Sequence, residues 1–546
     1  MEKEAARSSA LRWAASLALL LPVIVLYLCE CARGDGRSFT GFIQYDQPSY
    51  MADAQAFFDG GFHLFYGNPF SPDPDTPRIY FQADLFVLGA LQKVTGWDPG
   101  VVYLLFGFFA GLVCIRIAME LYEEVAGLRS PAQWLGLVLF IWGGGILALM
   151  GLIDCLVTGG SAATFFPGLF AFDPAAGWWF LNLGRNLIFP TEAYYHALAL
   201  GLILVTMRRQ YRAALALGFL FVLSHPFTGL QFLLIVTVWA GFEAVVLRNR
   251  DVPFLFAGTM GCLLVVHLLY YAVFLSLFPE HRVVVAQWAL AWNVSAATAL
   301  GADILVGAAA IWAMRSWTLT RQLFDRPANR LLATWFLVSF ILAHHDLFVT
   351  AHQPIHFARG YTWAALFLLG SGPIVRLLET AWTQVGAVSR WAVMALILTV
   401  GLSDNLAWFG WQATTAVSGN WAEIWSPGGP FALGASDRDL FRWLMRRPEP
   451  HTELLVAADP DSTVPYLGTV YTNYRGWYTH LGSTPYAAAR RQEVLGFVGS
   501  GAVAKGLLGK CLLVINLKSK PAKPPETWGK PIYENEVYSV YLIRFH

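Results

Sequence analysis

Residues 13–61 read WAASLALLLPVIVLYLCECARGDGRSFTGFIQYDQPSYMADAQAFFDGG, and three events follow one another along them. First comes an apolar run over 13–28, close to the roughly 20 residues needed to cross a hydrocarbon core. Lys3, Arg7 and Arg12 precede it, and the CECAR sequence at 29–33 lacks a small-residue cleavage pattern. The run therefore reads as a retained helix rather than a cleaved signal peptide. The chain then turns polar, and Asp46 arrives just beyond the membrane. Finally, Pro48 suits the first turn of a new helix and Gly60-Gly61 suits its end. Tyr50, Ala54, Phe57 and Phe58 share one face of that helix, which predicts an interfacial orientation. Asp46 suits the helix N-cap, and a cap also holds a carboxylate still.

Working outward, the 546 residues are 56% hydrophobic and 13% charged, where soluble domains carry roughly 25% charged residues. The mean hydropathy is +0.50. Apolar runs lie near 13–29, 98–119, 132–156, 188–207, 212–224, 228–247, 252–277, 296–314, 331–349, 360–378 and 391–411. They predict about 11 transmembrane helices, with the fifth short enough to form a shallow hairpin. Alternate connections hold Arg129, then Arg208, Arg209 and Arg212, then Arg248 and Arg250, then Arg315 to Arg330, then Arg376 and Arg390. That alternation places the N-terminus in the cytoplasm. The net charge of +1 sits in these short clusters and offers no nucleic-acid footprint. Six scattered cysteines show neither a disulfide framework nor metal spacing.

The opposite side differs. Its first segment, 33–97, carries Asp35, Asp46, Asp53, Asp59, Asp73, Asp75 and Asp84 against Arg37, Arg78 and Lys93. The segment 157–187 is rich in Gly, Phe and Trp. Beyond 411 the composition turns hydrophilic, and 437–447, 452–458, 485–498, 511–517 and 537–545 read as helix, strand, helix, strand, strand. The fold expected is an all-α polytopic membrane bundle over 1–411 with a small α/β extracytoplasmic domain over 412–546.

Candidate chemistry gathers on that side. Asp73 and Asp75, in NPFSPDPDTPRIYFQ (68–82), have the spacing of a divalent-cation site but also of a proline-rich turn. The segment HHDLFVTAHQPIHFAR (344–359) holds His352, His356 and Arg359, where Arg offers a planar fork for phosphate oxygens. A merely hydrated interfacial loop is the competing reading. Arg185 lies in FLNLGRNLIFPTEAYYH (180–196), followed by Glu192 and His196 on one helix face. His225-Pro226 caps the shallow hairpin. In the tail, YTNYRGWYTH (471–480) sets Arg475 and His480 among aromatics that suit stacking on a sugar or lipid headgroup. No P-loop, GxGxxG, GxSxG or HExxH occurs.

An acidic residue directly after the first helix, an Asp-x-x-x-Tyr helix start, the NPF…IYFQ turn and many further crossings resemble the GT-C superfamily of polytopic glycosyltransferases. The resemblance implies an inverting membrane glycosyltransferase that moves a sugar from a polyprenyl-phosphate donor to a glycan, lipid or protein acceptor. It implies Asp46 as general base, with Asp53, Asp73 and Asp75 competing for a secondary acidic role. Arg359 and His356, with His352 and Arg185, would hold the donor phosphate. Tyr50, Glu192, His196, Arg475 and His480 would contact substrate. Many members carry a second acidic residue where Gln47 stands, so a divalent cation stays open as cofactor. A bacterial cytoplasmic membrane with an extracytoplasmic tail is the expected setting. A transporter or lipid-glycan flippase and a non-catalytic membrane subunit are the alternatives.

Overall fold

A computed structural model describes the chain except at residues 1, 34–35, 45, 74, 160–161, 288–292, 384–385, 419–431, 448–452, 461, 473, 480–481, 501–509, 520–527 and 545–546. Apolar length produces helices, and among the described residues seven are long and apolar enough to cross a membrane: Ser9–Cys31, Pro99–Ala126, Pro226–Val246, Phe254–Leu277, Ala296–Ala313, Pro354–Thr383 and Ser389–Ser418. A bent pair, Pro131–Trp142 with Leu147–Thr158, makes an eighth if counted as one span. Three of the expected crossings instead coincide with shorter or less apolar helices, Pro190–Met207, Tyr211–Val222 and Pro327–Ala343. The chain is an integral, multi-pass membrane protein.

Local signals mark the helix ends. Ser130 and Gln133 form a capping box ahead of Pro131. Pro190, Pro226 and Pro327 occupy first-turn positions where a missing N–H costs nothing. The 66° bend between Trp142 and Leu147 falls on Gly143-Gly144-Gly145. Broken helical backbone within a membrane needs new partners. Here Gly144 N donates to the Gly401 carbonyl (2.9 Å) and Ile146 N to the Gly301 carbonyl (2.8 Å). Ala148 N donates to Asp404 Oδ1 (2.8 Å), so Asp404 caps the second half-helix from another span. A Cβ at Gly145 would lie 1.9 Å from the Gly301 carbonyl oxygen, which only glycine tolerates.

The chain divides into two compact units. The first comprises Met1–Leu26, Gly107–Ala272 and Ala289–Thr414; the second comprises Tyr27–Phe106, Val273–Trp288 and Thr415–His546. The connection after the first span thus belongs with the C-terminal segment.

In the second unit, Ser38–Phe39 (β1) pairs antiparallel with Ala432–Leu433 (β2). A four-stranded sheet holds Glu453–Ala457 (β3), Lys510–Asn516 (β4), Tyr533–Glu534 (β5) and Tyr538–Arg544 (β6), in the order β3-β4-β6-β5. β3 and β4 are parallel, which demands a crossover. Thr463–Tyr471 and Ala487–Ser500 lie on that connection as helices. Val456, Leu513, Ile515 and Ile543 from the sheet and Val494 and Phe497 from the helix form its core. The tail is therefore α/β, as its composition predicts.

The Asp46–Ala56 helix packs on the Ala83–Thr95 and Thr463–Tyr471 helices. Ala54 and Phe57, expected on a lipid-facing stripe, are buried in this protein contact. Gly89 permits it, since a Cβ there would lie 2.0 Å from the Ala54 carbonyl oxygen. Hydrogen bonds then tie the connection to the tail. Gln55 Nε2 donates to the Val470 carbonyl (3.1 Å), Asn68 Nδ2 to Ser483 (2.9 Å), and Arg475 Nη1 to Ser71 (3.1 Å) and Asp73 (3.0 Å). The Pro279–Gln287 helix joins both: Thr76 Oγ1 donates to Glu280 Oε2 (2.6 Å), and Gln287 Nε2 donates to the Thr484 carbonyl (3.0 Å).

Candidate functional site

Two groups of polar side chains stand out, one in each unit. In the second unit, Asp46 opens its helix, where the aligned N–H groups favour a carboxylate. Ser49 Oγ donates to the Asp46 carbonyl (2.6 Å). Gln44 grips the residue twice: its Oε1 accepts from Asp46 N (2.7 Å), and its Nε2 donates to Asp46 Oδ2 (3.1 Å). Gln47, which stands where a second acid was sought, accepts from Ile43 N (2.7 Å) and fixes the approach to the helix. Asp46 remains partly exposed while Gln44 and Gln47 are buried. A held yet reachable carboxylate is suited to accepting a proton.

The other acids of this connection behave differently. Asp73 Oδ1 accepts from Asp75 N (2.9 Å), and Asp73 N donates to Ser71 Oγ (3.3 Å), so the Asp73 carboxylate is engaged by its own local backbone. Desolvation pushes the Asp53 carboxyl well above the usual carboxylate range. Among the described residues, no three His, Cys, Asp or Glu side chains gather as a metal site. No step below runs through a metal.

Tyr50 is partly buried on the Asp46 helix. Arg475 anchors the turn at 71–73, and Tyr474, Trp477 and Tyr478 are buried instead of forming an open stacking face. His480 lies outside the described residues.

In the first unit, the segment after Ala343 folds back through two short 3-10 turns before the helix Tyr361–Thr383 begins. His345 Nδ1 donates to the Leu342 carbonyl (2.6 Å), leaving Nε2 to accept from His352 N (2.9 Å). Gly360 has φ +73°, and a Cβ there would lie 2.9 Å from the backbone of Asn182 and Leu183. That close approach brings Arg359 to the helix Pro190–Met207. The Arg359 guanidinium forms an ion pair with Glu192 and lies over the Trp179 indole, 5.1 Å from its centroid. The Arg359 carbonyl meets His196 Nε2 (2.9 Å) and accepts from Asn186 Nδ2 (3.2 Å). His196 Nδ1 faces the Glu192 carbonyl (2.8 Å), and the Tyr361 ring stacks on the imidazole at 4.4 Å.

His356 and Trp179 are nearly perpendicular with ring centroids 5.1 Å apart, and His356 stacks on Phe227 at 4.5 Å. His225 lies 6.2 Å from His356, and its Nδ1 accepts from Thr228 N (3.2 Å) as the helix cap. His352 is 6.1 Å from Phe227. Arg359, His356, Glu192 and His196, scattered over 168 positions of sequence (359 less 192, counted inclusively), thus share one cluster. Its chemistry suits an anion: a guanidinium fork within aromatic walls, balanced by a carboxylate when no other anion is bound.

Arg185 does not join that cluster through its guanidinium. It is buried, with Nη1 donating to Asp173 Oδ2 (2.6 Å) and the Gly177 carbonyl (3.2 Å). Nε donates to Asn405 Oδ1 (2.9 Å) and Nη2 to the Asp404 carbonyl (2.8 Å). These contacts fix the segment that carries Trp179. Neither Trp179 nor Gln44 is singled out by sequence reasoning, since each acts through contacts that no periodicity encodes. The Trp178-Trp179 pair in a Gly- and Phe-rich segment was the available signal.

No protein-family model matches the chain, and neither does any curated protein sequence. Solved structures do. The Archaeoglobus fulgidus oligosaccharyltransferase, tethered with an acceptor peptide containing the NVT sequon, aligns with a TM-score of 0.50 and 12% identity, covering 92% of this chain and 69% of its own. ArnT from Cupriavidus metallidurans, bound to undecaprenyl phosphate, aligns with a TM-score of 0.48 and 13% identity, covering 97% of this chain and 98% of its own. At 12% identity the likeness to the first shows the fold alone: the chain is folded like that oligosaccharyltransferase.

Proposed function

We propose that the protein is an inverting glycosyltransferase that moves a sugar from a polyprenyl-phosphate donor to a glycan, lipid or protein acceptor. The observation that carries this reading is the Gln44-held, partly exposed Asp46 carboxylate directly after the first span, in a chain of GT-C fold. The arginine-rich connections support an orientation with the N-terminus in the cytoplasm and the tail outside, and the setting we propose is a bacterial cytoplasmic membrane. Sugar nucleotides are absent there, so the donor must be membrane-borne.

In the proposed reaction, Asp46 accepts the proton of an acceptor hydroxyl as that oxygen attacks the anomeric carbon. The bond from this carbon to the phosphate oxygen breaks, with inversion, and polyprenyl phosphate leaves with the electron pair. Arg359 balances the charge that grows on the leaving phosphate, and His356 lines the same anion site. Glu192 holds Arg359 in place until the donor phosphate replaces it.

The test uses the purified full chain in proteoliposomes with a panel of labelled polyprenyl-phosphate sugars and a cell-envelope extract as acceptor source. Release of polyprenyl phosphate matched by labelled product is expected. Transfer from a sugar nucleotide alone, or transport of an intact glycolipid with no bond broken, would overturn the reading.

A further inference from the structure

The segment preceding Arg185 holds an unusual backbone. Ala175, Ala176 and Phe180 have φ of +55°, +52° and +52°, with Gly177 at +83° between them. Residues other than glycine rarely adopt this left-handed region. Such conformations persist only where the surroundings over-determine them, and they gather at functional sites.

The surroundings here are explicit. Arg185 bridges Asp173 and the Gly177 carbonyl, and Trp408 Nε1 donates to the Ala176 carbonyl (3.2 Å). Trp178 packs edge-on to Trp408 at 5.2 Å and is buried, as is Phe180. Between those two anchors Trp179 stays partly exposed. The constrained segment puts its indole against the Arg359 guanidinium and nearly perpendicular to the His356 ring, and Phe227 stacks on His356.

An indole beside a guanidinium adds little for inorganic phosphate, which is hydrated on every side. For a phosphate carrying an apolar chain it adds contact area and excludes water from the ionic contact. We infer that Trp179 is a ligand-contacting wall of the Arg359 anion site that selects a phosphate ester of an apolar chain, and that Arg185, through Asp173 and Gly177, is the residue that positions it. The inference rests on the reading of Arg359 as a phosphate-binding residue.

The test is calorimetric binding of farnesyl phosphate and of inorganic phosphate to the full chain in detergent micelles. Trp179→Ala weakens farnesyl phosphate about tenfold while shifting inorganic phosphate by less than about twofold, and Trp179→Phe recovers about half of the loss on a logarithmic scale. Arg185→Lys weakens farnesyl phosphate to a similar degree but adds nothing in the Trp179→Ala background. Equal effects on both ligands, or none, overturn the wall; additive losses overturn the role of Arg185. If Trp179→Ala does not fold, Trp179→Phe carries the comparison, with a loss of about threefold confined to farnesyl phosphate. Short-chain phosphatidic acid competing with the same Trp179 dependence supports the wall and assigns it to a phospholipid; its failure to compete supports the wall and assigns it to a prenyl phosphate. Arg359→Gln separates the two readings. Unchanged binding of both ligands in that variant defeats the phosphate site itself, whatever Trp179 does.

Discussion

Gln44 and Asp46 hold each other, the Gln44 amide accepting from the Asp46 backbone at 2.7 Å and donating to its carboxylate at 3.1 Å. The pair restricts the rotation of a carboxylate that otherwise samples several positions at a helix start. Catalysis depends on such placement, and an error of about 1 Å costs about a hundredfold in rate. Gln44→Leu is therefore expected to lower kcat by about ten- to a hundredfold with little change in KM for the donor. Steady-state transfer kinetics decide it, and an unchanged kcat removes the pair from the account.

Glu192 and Arg359 make a second test, this time of stability. Removing one partner of a buried ion pair leaves the other uncompensated, at about 3–5 kcal/mol. Glu192→Gln and Arg359→Gln should each lower the thermal midpoint in detergent, and the double variant should lose less than the sum. A coupling of about 1–3 kcal/mol is expected from the cycle. Strict additivity would show that the two side chains do not meet.

Arg475 reaches from the tail to the carbonyls of Ser71 and Asp73. Hydrogen bonds from a charged donor contribute about 1.5–3 kcal/mol each at most. Arg475→Ala should loosen the hold of the tail on the first connection, so limited proteolysis between 68 and 78 should quicken while the membrane helices stay protected. Identical cleavage rates would mean that Arg475 is not part of that hold.

His281 supplies a pH dependence. Its Nδ1 lies 3.2 Å from the Tyr80 hydroxyl, and burial lowers its pKa. The folded state thus prefers neutral imidazole, and its contribution is full above the unfolded value of about 6.5. It is lost as the pH falls below that value, because the unfolded chain takes up the proton first. The thermal midpoint should fall from pH 7.5 to pH 5.5, and His281→Gln should flatten that slope. A slope equal to that of the unaltered protein would assign the effect to other groups.

The membrane character and the α/β tail were legible because burial in lipid imposes long uncharged runs and sheet packing imposes β-branched ones. The clusters were half legible. Glu192 and His196 lie four residues apart on one helix and could be paired in advance, whereas their meeting with Arg359 depends on a fold-back at Gly360. Arg185 looked like a phosphate ligand by residue type, yet its guanidinium is fully engaged by Asp173, Gly177, Asp404 and Asn405. Residue type does not reveal which arginine holds the fold and which faces a ligand. The Asp46 helix likewise has an amphipathic face in sequence, but Gly89 lets another helix cover it.

The central claim is that Asp46 takes a proton from the acceptor. The direct measurement is the single-turnover rate of sugar transfer from a polyprenyl-phosphate donor by the unaltered protein and by Asp46→Asn, in the same proteoliposomes and with matched donor binding. A loss of at least about a hundredfold in Asp46→Asn, with donor affinity retained, is the result expected of a general base. Transfer by Asp46→Asn at the rate of the unaltered protein would contradict the account.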